Sequence, residues 1–190
     1  MVEVQTETTP TVRRFTVDDY YRMGEAGIIK VEDRVELLDG EIIQMSPIGP
    51  LHAAIVARLH DLLSQNVRGL HFVRSQSPIH LSDHSEPQPD IAVLRHRDDY
   101  YASAHPGPAD ILLLIEVSDA TLAYDRNVKL PHYAEAGIPE VWIVDVGAQV
   151  IEQYAQLIQG VYTQLHKVLF GHTLTATSLP EISLTTDQVF

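Results

Sequence analysis

Residues Ile111–Val117 read ILLLIEV, apolar at every position except Glu116. A run of this kind suits a central β-strand covered on both faces. Val141–Val146 reads as a second such strand. Between them, the segment from about Tyr124 to Ala136, closed by Gly137, reads as a helix. Strand, helix and strand make one unit, expected to cross over right-handed. A chain of 190 residues fits a single domain. At that length folding buries roughly 70% of the unfolded surface, so no cross-links are needed for stability.

The other segments surround this unit. Residues 1–12 read as a flexible tail ahead of one domain at 13–190. Thr16 and Asp19 have the spacing of a capping box, so Val17–Ala26 reads as a short helix ended by Gly27. Arg34–Leu38 and Glu41–Met45 flank Asp39-Gly40, a strong two-residue hairpin signal. Ile55, Leu59, Leu62 and Leu63 follow helical spacing and predict a second helix from about Leu51 to Asn66. Phe72–Leu81 is β-prone, Asp90–Leu94 is a short strand, and Arg95–Ala109 is a polar surface excursion. Gln149–Tyr154 and Val161–Leu165, around Gln159-Gly160, read as a peripheral hairpin before a terminal edge. This order predicts an α/β fold: a mixed central sheet flanked by helices, with an N-terminal helix and hairpin.

Composition narrows the chemistry. There is no cysteine, which removes disulfides, zinc–thiolate sites and iron–sulfur clusters. Any metal must be held by oxygen or imidazole. The ten histidines form no HExxH pattern, and His80 and His84 read as loop residues. No apolar run approaches the roughly 18 residues of a membrane span. The polar, acidic start lacks the layout of a signal peptide, so the expectation is a cytoplasmic chain with no membrane partner. Thirteen Lys+Arg against 26 Asp+Glu leave a net charge of −13, a field that repels nucleic acid at long range. Divalent cations bound at a site can reverse that sign locally.

Glu116 is the most informative residue. A carboxylate inside an apolar strand needs a partner, a metal or an exposed strand end. Asp90 follows Pro89 and opens the strand DIAVL; alone, it reads as a solvated strand-start acid. Residues 91–115 separate the two acids, enough for a loop and a return to a neighbouring strand. Carboxylates brought side by side repel, and a hard dication such as Mg²⁺ relieves that repulsion. Lys129, on the following helical segment, is a candidate cation beside them. Its simpler reading is an i,i+4 surface pair with Asp125, which contributes about 0.2–0.5 kcal/mol.

The blocks RVELLDGEIIQMSPIGPLHAAIVARL, SEPQPDIAVLR, LLIEVSDATLAYDRNVKL and YAEAGIPEVWIVDV carry a resemblance. In that order they are similar to the Uma family of predicted bacterial restriction endonucleases, a branch of the PD-(D/E)xK nuclease superfamily. The resemblance extends from Arg14 to about Tyr154 and implies a restriction-endonuclease-like fold. The superfamily pattern is Pro-Asp and, after a gap, an acid, any residue and lysine. Pro89-Asp90 and Glu116 match it, while Ser118 stands in the lysine position. The resemblance thus implies a migrated-lysine variant, with Lys129 supplying the ammonium from the next helix. Pro131 predicts a kink or a fresh start in that helix. Two upstream residues also fit the family pattern. Glu36, on the first hairpin, would add a metal-shell carboxylate or orient water; a solvent-facing strand acid is the alternative. His52, at the start of the second helix, would present its imidazole to phosphate or to the metal shell; a surface histidine is the alternative.

The activity so implied is Mg²⁺- or Mn²⁺-dependent hydrolysis of DNA phosphodiester bonds. Asp90, Glu116 and, by analogy, the Val117 carbonyl would hold the ion, which polarises the phosphate and acidifies a bound water. Lys129 would position that water or stabilise charge developing at phosphorus. Duplex cleavage calls for two sites, so a homodimer is expected, with the apolar C-terminal segment as its interface. The competing reading is a catalytically inactive nuclease-like binding or assembly module, favoured by Ser118 and by the charge.

Overall fold

Thr16 caps the first helix, α1 (Val17–Glu25), in the reciprocal manner its spacing predicts. Its hydroxyl accepts from the Asp19 N–H, and the Asp19 carboxylate accepts from the Thr16 N–H. The computed structural model describes residues 11–30 and 32–190. Residues 1–10 of the expected tail lie outside that description, and Thr11 and Val12 are exposed. Asp39-Gly40 turns the hairpin of β1 (Val35–Leu38) and β2 (Glu41–Gln44), with φ of +48° and +70°. Both values are left-handed, as a tight two-residue turn requires. Glycine is needed at the second position on a further count, because a Cβ at Gly40 would stand 2.5 Å from Arg14 Cβ. Pro50 occupies the first turn of α2 (Pro50–Asn66), where its missing N–H has no helical partner to lose.

The main sheet has six strands in chain order. They are β3 (His71–Ser75), β4 (Ile91–Arg95), β5 (Ile111–Ser118), β6 (Val141–Asp145), β7 (Val150–Ile158) and β8 (Val161–Leu169). Every neighbouring pair is antiparallel except β5–β6, which is parallel. That parallel pair is the strand–helix–strand unit, and its helical connection, α3, spans residues 122–135. The sheet is therefore mixed, as predicted.

β5 is buried along its whole length because cores form on both of its faces. On one face Ile55, Leu59 and Leu63 of α2 meet Ile91, Leu113, Ile115 and Trp142. On the other, Tyr133 of α3 and Ile138 cover Leu94, Leu114, Val141 and Ile143. The alternation slips once. Val93 pairs with Leu113 but Leu94 with Ile111, so Leu112 is the extra residue of a bulge. The Ser178 hydroxyl donates to the Leu112 carbonyl.

Three expectations need correcting. The β-prone stretch Phe72–Leu81 is a strand only as far as Ser75, because Gln76 turns at φ +48° and Pro78 follows. The late hairpin is longer than expected, and both its strands belong to the main sheet. The C-terminal segment carries its own small hairpin, β9 (Thr173–Thr175) and β10 (Ser183–Thr185). Leu174, Leu179, Ile182, Leu184 and Val189 of that segment pack into the α2-side core. These five side chains are thus buried within the chain itself, where the sequence predicts a simple terminal edge. No helix among the described residues is long and apolar enough to cross a membrane.

Candidate active site

The antiparallel register sets Ile91 opposite Ile115, so Asp90 and Glu116 come next along adjoining strands. Where the ladder ends, the Val117 N–H donates to Asp90 Oδ2 at 2.8 Å and fixes that carboxylate against β5. His52, on the first turn of α2, brings its Nε2 to 3.1 Å from the same oxygen. Gln76 Nε2 lies 3.4 Å from Oδ1.

The ammonium arrives from α3. This element begins as Leu122–Tyr124, widens into a π-helical turn over Asp125–Lys129, and continues as Leu130–Glu135. The Leu130 N–H reaches back to the Asp125 carbonyl. Pro131 has no N–H to donate, and the widened turn delivers the chain to it without a break. The irregularity predicted at Pro131 therefore lies in the turn just before it. From α3, Lys129 Nζ sits 3.2 Å from Glu116 Oε1 and 3.2 Å from Glu36 Oε2. Glu36 Oε2 also accepts the Gln88 N–H at 2.9 Å. The Tyr133 hydroxyl donates to Glu116 Oε1. Lys129 is thus buried between two acids, in place of the surface pair with Asp125. Asp125 instead accepts from the hydroxyls of Ser118 (2.7 Å) and Thr121 (2.6 Å). Ser118 thus orients that neighbouring acid.

Electrostatics sharpen the picture. Burial pushes Glu116 up to about 8; Lys129 opposes this, while Asp125 and Asp90 add to it. Burial also works against the Lys129 charge, but the Glu116 and Glu36 carboxylates outweigh it and hold the ammonium above its ordinary range. His52 is raised by its bond to Asp90, with burial opposing. Tyr124 is pushed up to about 12, first by burial and then by Glu36.

Glu36, His52, Asp90, Glu116, Val117 and Lys129 all line one cleft of about 340 Å³. Asp119, Tyr124 and Asp125 share it. Two lining atoms, His52 Nδ1 and Tyr124 Oη, are buried without a hydrogen-bond partner. Glu36 and His52 are accordingly neither a solvent-facing strand acid nor a free surface histidine. Asp125 entered the sequence reading only as a surface partner of Lys129, and Tyr133 and Tyr124 escaped it. Asp125 and Tyr133 flank Lys129 at spacings of four, and that periodicity was a usable signal. For Tyr124 no such signal exists.

Among the described residues, no three His, Asp or Glu side chains are already gathered as a metal cage. Mg²⁺ commonly keeps several waters and takes one or two protein carboxylates, so a pair such as Asp90 and Glu116 suits it. Both described hydrogen bonds to Glu116 go to Oε1, which leaves Oε2 for another contact.

The fold is shared with a crystal structure from Anabaena variabilis described as a "putative nuclease belonging to DUF820". The TM-score is 0.75 at 16% identity, over 93% of this chain and 97% of that one. No curated protein matches the chain. The sequence profile of Uma2, described as "Putative restriction endonuclease", matches residues 17–187, and the chain belongs to the Uma2 family.

Proposed function

We propose that this protein hydrolyses DNA phosphodiester bonds with the help of Mg²⁺ or Mn²⁺. The reading is carried by the convergence of Asp90, Glu116 and Glu36 with one buried ammonium, Lys129, in a single cleft. Membership of the family supports the reaction class. Asp90 and Glu116, with the Val117 carbonyl, would hold the ion. When bound, it supplies a polarised phosphate and a water of lowered pKa.

The acids of the cleft, Glu36, Asp90, Glu116, Asp119 and Asp125, outnumber its cations, Arg34 and Lys129, so a dication is electrostatically welcome. Lys129, held charged by two carboxylates, is placed to stabilise negative charge on the phosphate or to hold the attacking water. Glu36 anchors Lys129 as a second carboxylate beside Glu116, and Tyr133 fixes Glu116 Oε1. His52 steadies Asp90 through Nε2 and leaves Nδ1 for a phosphate oxygen or a water.

The test pairs cleavage with metal uptake. With Mn²⁺ the wild type cuts DNA, and Asp90→Ala, Glu116→Ala and Lys129→Ala each lower the rate by about 10²–10³. Calorimetry shows Mn²⁺ uptake lost in the two acid variants and kept in Lys129→Ala. A second reading, an inactive binding module, draws on the engagement of Ser118 with Asp125. It stands if wild type and variants behave alike in both measurements.

A further inference from the structure

We infer that the cleft receives one unpaired nucleotide of a DNA strand, its phosphate toward the acids and Lys129 and its base against the β2–α2 segment. This deepens the nuclease reading and rests on it.

The lining is divided by chain segment. Residues 43–48 contribute Ile43, Met45, Pro47 and Ile48 along with Gln44 and Ser46, whereas the carboxylates and the ammonium come from β1, the residue before β4, the end of β5 and α3. Ile48 is 39% exposed. An apolar surface beside a phosphate-handling floor offers nothing to a hydrated sugar–phosphate backbone. It does suit the flat face of a base.

Size and depth point the same way. A volume of about 340 Å³ accommodates a ligand of nucleotide size and not the breadth of a duplex. Glu116 and Lys129 are only 3% and 6% exposed, so the reacting groups lie below the rim. A phosphate on a fully paired, rigid cylinder would have to be extruded to reach them, and a nucleotide already unpaired avoids most of that energy.

Charge gives a separate reason. A duplex carries one phosphate charge per about 1.7 Å of axis, and one of its strands half that density. The chain has a net charge of −13, and Arg34 and Lys129 are the cations of the cleft. A single strand is therefore repelled less. An unpartnered hydroxyl completes the case. The Tyr124 hydroxyl keeps its proton and is buried without an acceptor, which a phosphate oxygen would supply.

One labelled sequence is offered with Mn²⁺ as a single strand, as a perfect duplex and as a duplex with an internal unpaired loop. Cutting is expected in the single strand and within the loop, at least about tenfold faster than in the duplex. Ile48→Asp and Tyr124→Phe should slow that cutting while Mn²⁺ uptake stays at the wild-type level. A duplex cut as fast as the single strand overturns this inference and leaves the nuclease reading intact. Fluorescence anisotropy of the same three DNAs gives a readout that needs no turnover. Tighter binding of the unpaired forms supports the inference, and equal or absent binding overturns it. Loss of both cutting and acid-dependent Mn²⁺ uptake removes the nuclease reading as well.

Discussion

Glu116 and Glu152 lie in one row across the sheet. Glu116 pairs with Ile143 on β6, Ile143 with Glu152 on β7, and Glu152 with Lys167 on β8. Both are buried, and each takes a tyrosine hydroxyl and a cation from α3. Their chemistry nevertheless diverges. Glu152 has Arg126 Nε at 2.7 Å and Tyr154 Oη at 2.8 Å on one oxygen, and Lys167 Nζ at 2.7 Å on the other. Burial opposes its charge, but these bonds outweigh burial and its pKa is lowered. Glu116 shares its one cation with Glu36 and faces Asp90 and Asp125, so burial prevails and its pKa is raised. A buried acid with a cation beside it is therefore not enough to make a site. In the proposed reading, an excess of acid over cation is what distinguishes one.

The comparison breaks most visibly in activity. Glu116→Gln should lower cleavage by about 10²–10³, while Glu152→Gln leaves the rate within a few-fold of wild type. Equal losses in a folded Glu152→Gln would show the two acids to be one functional unit. Stability should rank them in reverse. Glu152→Ala strands Arg126 beside Asp145 and Lys167 alone, and removing one member of a buried pair costs several kcal/mol. Lys167 is more than half exposed, so screening reduces the expected loss to about 2–3 kcal/mol in urea unfolding. Glu116→Gln should be at least as stable as the wild type, because Lys129 keeps Glu36 and no carboxylate need then take up a proton on folding.

Titration separates the same two residues by sign. The folded state holds a proton on Glu116 up to about pH 8, whereas an unfolded glutamate releases it near 4.5. Between those values the native state binds more protons, so stability falls as pH rises. The advantage of Glu116→Gln over wild type should be absent below 4.5, grow through this window and level off above about 8. For Glu152, whose folded pKa is lowered, the sign reverses. Its contribution is complete above 4.5 and is lost as pH falls through the folded value. Unfolding measured across this range in Glu116→Gln, Glu152→Gln and wild type checks both slopes. A Glu116 contribution that strengthens with pH would reject the excess-acid account.

Much of this contrast was out of reach from the sequence. The capping box at Thr16 and the turn at Asp39-Gly40 were legible because each is a local pattern with a local cause. The part played by the C-terminal segment was not, because Leu174, Ile182 and Val189 are scattered apolar residues whose burial depends on distant partners. Glu116 announced itself as an acid in an apolar strand. Asp90 and Lys129 could be set beside it from strand placement and charge, whereas Glu36 and His52 came from the family resemblance alone. Glu152 gave no warning, since its partners Arg126 and Lys167 lie on other elements. The orphaned hydroxyl of Tyr124 is a property of packing alone.

The smallest expected effect probes how redundant the Glu152 cluster is. Lys167 is 56% exposed and reaches Glu152 from the edge strand β8. Removing it leaves Arg126 and Tyr154 on the other carboxylate oxygen, so the buried charge stays compensated. Lys167→Ala should therefore cost only about 0.5–1 kcal/mol, in the range of partly exposed ion pairs, with the loss shrinking as salt screens the contact. Lys129→Ala removes the cation that Glu116 and Glu36 share, and its effect on stability should be larger and nearly independent of salt. Urea unfolding of both variants at low and high salt measures the difference. If Lys167→Ala matched Lys129→Ala in size and salt response, Glu152 would be as poorly compensated as Glu116, and the distinction between a satisfied acid and a site would fail.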